Sequence, residues 1–283
     1  MKKLGTLALT AALAGSLALS AVAAEPAPVL TQTGYSTQIT LNGEVLDTTG
    51  IPGVPNALLP LRLLAEADHG SAYWDEENNE GWFTFGDNRI TVCFTDNSVS
   101  VNDQTVEVAG VEVIAGVTFV TGDVLNGLEG YQVQWQESQG EGDNRVSITT
   151  PNSDPVVQLA YGIMDESGMA YGMRADETTL TEAYQIPADQ FEQVVAFFPM
   201  ITSPDTLVLG KLKEGADVNV VKEALETYRQ NQEDTFSWYL SQNLPKVQDA
   251  RVVISGDYLL FLIADNADAG VAAFETGVAA LGE

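Results

Sequence analysis

His69 and Cys93 are the only imidazole and the only thiol in the chain, so any acid–base or nucleophilic chemistry of those kinds rests on them. A histidine titrates near neutrality and serves as a general base when a carboxylate orients it beside a nucleophile. Asp68 precedes His69 and Gly70 follows it, but no serine or cysteine lies in a nucleophile motif. The nearest approach to Gly-x-Ser-x-Gly is Gly15-Ser16, which lacks the second glycine. His69 stands at the exit of a short apolar helix, where a basic side chain suits the helix dipole, and it is expected to cap that end. Cys93 lies in the strand-like run Ile90-Thr91-Val92-Cys93-Phe94 and is expected to pack as a small hydrophobe. A Cys–His hydrolase would need the two side by side in space.

Metal chemistry finds little support. One cysteine and one histidine exclude a Cys/His zinc set. The acidic run Asp75-Glu76-Glu77-Asn78-Asn79-Glu80-Gly81 fails the EF-hand register, with Glu80 where glycine is needed and Gly86 where the bidentate glutamate is needed. It is expected to be an exposed hairpin turn. No phosphate-binding Gly-rich loop ending in Gly-Lys-Ser/Thr occurs, and Gly140-Glu141-Gly142 is an acidic turn unsuited to phosphate. Among 40 acidic residues a glycosidase-like carboxylate pair has no distinguishing signature. Four tryptophans raise glycan stacking: Trp82 is the best exposed candidate, Trp238 shares a helix tail with Phe236 and Tyr239, and Trp74 and Trp135 are expected to fill core slots. The sequence thus assigns no catalytic residue, metal ligand or cofactor, and leaves the ligand-binding residues open.

The elements that would position any site are organised as a repeat. Ile39-Thr40-Leu41-Asn42-Gly43-Glu44-Val45 alternates around Asn-Gly, a hairpin signal. Val99 to Val106 repeats it, with Asn102-Asp103 in the turn. Leu58 to Glu66 predicts a short helix with Pro60 near its first turn, and Phe119 to Gly127 is its counterpart. Trp74 and Trp135 follow at matched distances, and in Tyr131 to Gln136 the apolar residues take one strand face and the glutamines the other.

Asn42-Gly43, Pro60-Leu61-Arg62 and Trp74-Asp75 resemble the signature of the small module named after the N-terminal stalk domain of copper amine oxidases, which occurs in exported proteins of Gram-positive bacteria. The second copy keeps Asn102 and Trp135 but has Thr121-Gly122-Asp123 for Pro-Leu-Arg and Gln136 for the aspartate, so it is degenerate. Copper in those enzymes is bound by histidines of another, catalytic domain, and a chain with one histidine cannot build that centre.

Residues 151–155 have the composition of a linker. Beyond them Val157, Leu159, Tyr161 and Ile163 alternate before Asp165-Glu166-Ser167-Gly168, which predicts a hairpin into Met169, Tyr171 and Met173. Strands are expected at Glu192 to Met200 and Thr206 to Leu212, then a long helix from Asp217 to Leu240. A hairpin from Arg251 to Ala264 turns at Gly256-Asp257, and a last helix is capped by Asn266. Tyr184-Gln185-Ile186, Phe198-Pro199-Met200, Asp205-Thr206-Leu207, Phe236-x-x-Tyr239-Leu240, Gly256-x-Tyr258, Asp265 and Phe274 resemble an uncharacterised domain family of Gram-positive exported proteins and lipoproteins. That resemblance implies no activity. The fold class is α+β: a duplicated β-rich stalk-like domain at 35–150 (repeats about 39–97 and 99–150), then a C-terminal domain at 156–283 with an antiparallel sheet and two helices.

Residues 1–24 are expected to be a secretory signal: Lys2 and Lys3, an uncharged run from Leu4 to Leu19, then small residues before Glu25-Pro26. No later segment is apolar and long enough to span a membrane. Without Lys2 and Lys3, 10 basic residues face 40 acidic ones, a formal charge of −30. Such a surface repels nucleic acid and anionic lipid and attracts cationic partners. The expectation is a secreted or cell-wall-associated, non-enzymatic binding or scaffolding protein, with a wall polymer or another envelope protein as partner. The rival readings are a wall glycan or peptide hydrolase using carboxylates of the C-terminal domain, and an acidic surface that collects divalent cations.

Overall fold

The computed structural model describes residues 34–54, 57–107, 111–136, 144–169, 172–199 and 202–282. The signal segment 1–24 and the turn at 140–142 lie outside the described residues. No helix among the described residues is long and apolar enough to cross a membrane.

The first half contains β1 (Gln38–Leu41), β2 (Glu44–Val45), β3 (Leu58–Pro60), α1 (Leu61–Ala67), β4 (Ala72–Asp75), β5 (Glu80–Phe85) and β6 (Asn88–Cys93). It continues with β7 (Ser98–Val101), β8 (Gln104–Val106), β9 (Val111–Ile114), β10 (Val117–Thr121), α2 (Gly122–Asn126), β11 (Gln132–Gln136) and β12 (Arg145–Thr149). The repeat is present, but its copies are interleaved. Hairpin β1–β2 of the first copy completes the sheet of the second, in the order β11-β12-β1-β2. Hairpin β7–β8 of the second completes the sheet of the first, in the order β4-β5-β6-β7-β8. Strand β12 runs parallel to β1, and β6, antiparallel to both β5 and β7, leaves those two parallel in the same sense. Between the sheets β3 pairs antiparallel with β10, Leu59 facing Val120, Leu58 facing Thr121 and Pro60 facing Phe119. Because the copies are 61 residues apart from Trp74 to Trp135, Leu59 and Val120 are equivalent residues paired with each other, as on a two-fold axis.

The exchange explains which turn residues recur. Asn42 (φ 50°) and Asn102 (φ 50°) open left-handed turns, with Gly43 (φ 92°) and Asp103 (φ 65°) behind them. Each asparagine Oδ1 accepts a backbone N–H of the neighbouring strand or its end: Thr150 to Asn42 at 2.9 Å, Arg89 to Asn102 at 2.8 Å. The asparagine both turns the hairpin and pins it to the other copy, whereas the second position needs only left-handed backbone, which Asp tolerates. One core joins both copies, with Ile39, Leu59, Leu64, Phe85, Ile90, Val120, Leu125 and Ile148 buried together.

The second half contains α3 (Pro155–Ser167), β13 (Met173–Ala175), α4 (Glu177–Glu182), β14 (Phe191–Phe198), β15 (Thr206–Leu212), α5 (Val218–Trp238), α6 (Leu244–Gln248), β16 (Arg251–Ser255), β17 (Tyr258–Ile263) and α7 (Ala267–Leu281). The hairpin expected from Val157 is helix α3, and five helices, not two, accompany the sheet among the described residues. Buried positions Val156, Val157, Ala160, Tyr161, Ile163, Met164 and Ser167 follow helical periodicity. The boundary signals agree: Asp154 accepts the N–H groups of Val156 and Val157, Pro155 occupies the first turn, and Gly168 (φ 65°) ends the helix in left-handed backbone. A short apparent alternation can be cut from a helix, but those stop and start residues cannot be cut from a strand.

The antiparallel sheet runs β13-β14-β15-β17-β16. Helices α3 and α7 cover one face through Val195, Phe197, Leu207, Leu209, Leu260 and Leu262. Helix α5 covers the other against Ala196, Phe198, Val208, Leu259, Phe261 and Ile263. Two covered faces account for the continuous apolar run in β17, which does not alternate. Asn266 caps α7 as the sequence indicates, and Asp217, where the long helix is expected to begin, caps α5.

Candidate functional site

The end of α1 organises the contact between the two halves. Gly70 N–H bonds to the Ala65 carbonyl at 2.8 Å, and His69 takes left-handed backbone (φ 61°). A Cβ on Gly70 would stand 1.9 Å from the Thr84 carbonyl oxygen, so only glycine lets the chain pass β5 here. His69 is thereby thrown off the helix onto Tyr161 of α3, the rings stacking at 3.6 Å and 7°. Tyr161 leans in turn on Phe197 of β14 at 5.2 Å. His69 therefore does more than end a helix; it makes a contact across the two halves.

Beside it Asp68 is 1% exposed and collects side-chain hydrogen bonds from four residues on three segments. Its Oδ2 accepts the Tyr131 hydroxyl at 2.6 Å. Its Oδ1 accepts the Thr150 hydroxyl at 2.8 Å, Asn152 Nδ2 at 3.2 Å and Asn42 Nδ2 at 3.3 Å. Residues 151–155 are folded into this junction: Pro151–Ser153 form a 3-10 turn, Asn152 is buried, and its Nδ2 also reaches the Asp68 carbonyl at 3.1 Å.

Beside the stack opens a cleft of about 750 Å³. Tyr131, Asn152, His69 and Tyr161 line it, with Asp87 and Glu129 from the first half and Met173, Arg174, Thr179 and Phe197 from the second. Arg174 sits on β13 and its guanidinium donates to Asn152 Oδ1 at 3.5 Å. His69 has its pKa pushed below the usual 6.5 because Tyr161 and its surroundings shield one ring face from water, opposed in part by Asp165, Asp68 and Glu44. The Tyr131 hydroxyl is pushed up, first by burial and then by the Asp68 charge. Tyr161 is likewise raised by burial, with Arg174 opposing and Asp68 and Asp87 adding to the rise.

The lining hydroxyl of Thr84 is taken by Ser71, at 2.8 Å from its N–H and 2.9 Å from its Oγ. His69 and Cys93 are not brought together: Cys93 pairs with Glu80 at one end of β5, and Ser71 meets Thr84 four residues along, about 13 Å away at ~3.3 Å per residue. Among the described residues no group of three or more His, Cys, Asp or Glu side chains could hold a metal, so the residues present do not fit a copper centre. The Asp75 loop is a tight turn in which Asp75 Oδ1 accepts the N–H groups of Glu77 and Asn78 at 3.0 and 3.2 Å.

The tryptophans divide differently from expectation. Trp135 is partly buried against the first core, but Trp74 is 50% exposed and leans on Phe94 at 5.3 Å. Trp135 packs over Gly122, where an added Cβ would come within 3.0 Å of its Nε1; the equivalent position of the first copy is the fully buried Leu61. Trp82 is half-buried, bonded through Nε1 to Glu80 at 3.0 Å and covered by Arg89, and Trp238 is the most exposed at 81%. Sequence reasoning missed Asp68, Tyr131, Asn152 and Arg174. The available signal was Asn42, whose amide leads straight to Asp68 and Thr150.

Comparison with curated proteins and with solved structures found no match. Two family models do match: the copper amine oxidase N-terminal domain over residues 40–142 and the Domain of unknown function (DUF4358) over residues 166–264. The first is the accessory N-terminal part of its namesakes, not their catalytic domain. The second begins at the end of α3 and stops before α7, although both helices belong to its core. The chain is thus similar, in tandem, to the copper amine oxidase N-terminal domain in its first half and to DUF4358 in its second.

Proposed function

We propose that this is an exported, non-enzymatic binding protein of the cell envelope, and that it meets its ligand in the cleft between the two domains. The observation that carries the reading is the cleft itself, about 750 Å³ where Asp87, Glu129 and His69 of one domain converge with Tyr161 and Arg174 of the other. That volume lies within the range of ordinary ligand sites, and such sites favour domain interfaces. Export rests on the Lys2-Lys3, apolar and small-residue pattern before Glu25. An accessory domain in tandem with a second domain fits presentation of a site more readily than turnover.

The test is to incubate the purified mature protein with isolated Gram-positive cell walls at low salt and sediment them. The protein is expected in the pellet, and N-terminal sequencing of the exported form is expected to begin at Glu25. A protein left wholly in the supernatant counts against the reading. Release of sugar or peptide fragments in the same tube would replace it with a hydrolase.

A further inference from the structure

The charges lining the cleft are segregated by domain, and they are unspent. Six of the 12 Lys and Arg residues of this acidic chain, Arg62, Arg89, Lys211, Arg229, Lys246 and Arg251, are ion-paired. Arg174 is exposed, forms no ion pair among the described residues and gives one hydrogen bond, to Asn152 at 3.5 Å, while its side chain lines the cleft. On the opposite domain Asp87 and Glu129 line the same cleft, and among the described residues neither carboxylate has a hydrogen-bond or ion-pair partner. The two walls act on Tyr161 with opposite sign, Arg174 easing its ionisation and Asp87 opposing it. Phe197 and the 64% exposed Met173 give the same cleft apolar surface.

A simple anion would be repelled by the two carboxylates, and a simple cation by the guanidinium. A ligand carrying both charges satisfies both walls. We propose that the cleft binds an amino acid or short peptide with free termini, the α-carboxylate on the Arg174 fork and the α-ammonium between Asp87 and Glu129, with the side chains against Met173 and Phe197. The fork–carboxylate pair supplies geometry and the acidic wall supplies orientation. This rests on the cleft being the binding site and names the class of molecule it takes.

Calorimetric titration of the full mature protein with trialanine, its N-acetyl form and its C-terminal amide, at low salt, tests it. Saturable binding of trialanine is expected, with each capped form weaker by about tenfold or more. Arg174→Gln should lose the preference over the amide while keeping that over the acetyl form; Asp87→Asn with Glu129→Gln should do the reverse. Equal affinity for all three peptides, or no saturable heat up to millimolar trialanine, overturns the assignment. The two readings fail separately: sedimentation with walls but no trialanine binding removes only the ligand class, whereas failure of both removes the cleft as a site.

Discussion

Replacing Tyr131 with phenylalanine isolates one hydrogen bond at the centre of the molecule. The Tyr131 hydroxyl is the one donor to Asp68 Oδ2 among the described residues, at 2.6 Å, while Thr150, Asn152 and Asn42 all serve Oδ1. The ring is retained, including its edge-on contact with Phe85 at 5.9 Å, so little cavity is created. What is lost is a hydrogen bond to a carboxylate, about 1.5–3 kcal/mol, and Oδ2 is left without its partner in a residue that is 1% exposed. The upper half of that range is expected, about 2–3 kcal/mol, which at ~2–4 °C per kcal/mol for a chain of this size lowers the melting temperature by ~5–10 °C. The assay is urea denaturation followed by hydrogen exchange at the amides of β1, α1 and β12, because two domains need not unfold in one step. Tyr73→Phe, on a side chain 60% exposed, serves as the control and should stay within ~0.5 kcal/mol. If Tyr131→Phe is equally silent, the carboxylate is satisfied some other way and the account of this junction is wrong.

Alkali should destabilise the fold. Tyr131, Tyr228 and Tyr35 all have raised pKa values, burial being the largest cause, and Tyr35 is pushed up to about 12. The unfolded chain sheds these protons above pH ~10 while the fold keeps them, so stability is whole below that point and falls as pH rises toward the folded values, at about 1.4 kcal/mol per unit per tyrosine; a melting temperature flat from pH ~9 to ~12 would contradict this. Acid acts through His69. Its folded pKa lies below 6.5, so its contribution is present above the unfolded value and is lost as pH falls through the folded one. The melting curve should therefore drop below pH ~6.5, and His69→Phe, which keeps the stack on Tyr161, should remove that part of the drop; a variant with the same acid limb refutes the assignment. On α5 the buried face should separate sharply from the open one. Phe236→Ala, at 2% exposure, should cost about 3–5 kcal/mol, whereas Trp238→Ser, two residues on and 81% exposed, should cost within ~0.5 kcal/mol in a denaturant titration.

Local signals carried most of the fold. The Asn42-Gly43 turn, the apolar stripe of α5 and the hairpin at Gly256-Asp257 were all legible, because in each case the residues that fix the geometry are neighbours in sequence. Where local signals compete, alternation alone does not separate strand from helix. In α3 the alternation of Val157, Leu159, Tyr161 and Ile163 outweighed Asp154 and Pro155, which settle the matter physically by satisfying the first turn of a helix. The site was hardly legible at all. Asp68 draws its partners from 26 to 84 residues away, and no pattern of spacing encodes a carboxylate whose donors arrive from three other segments. Arg174 is an ordinary surface arginine until the fold places it across a cleft from Asp87 and Glu129.

Why the cleft forms at this end of the duplicated module follows from where its symmetry breaks. The two asparagine turns are equivalent, yet they face different company: Asn102 Nδ2 finds Asn88 at 2.9 Å, an exposed amide, while Asn42 Nδ2 finds Thr150 at 2.9 Å and the buried Asp68. Thr150 ends the second copy and begins the connection to α3, so the first hairpin is pinned by the very residue from which the second domain departs. At the opposite turn the extra strand β6 fills the equivalent place and the chain carries on within the module. A duplicated module with two similar ends thus offers only one to a partner domain. The polar character of that end sets its behaviour: a junction built from one carboxylate, its four donors and a single ring stack fixes orientation with little apolar burial, and leaves the walls of the cleft free to carry charge for something other than each other.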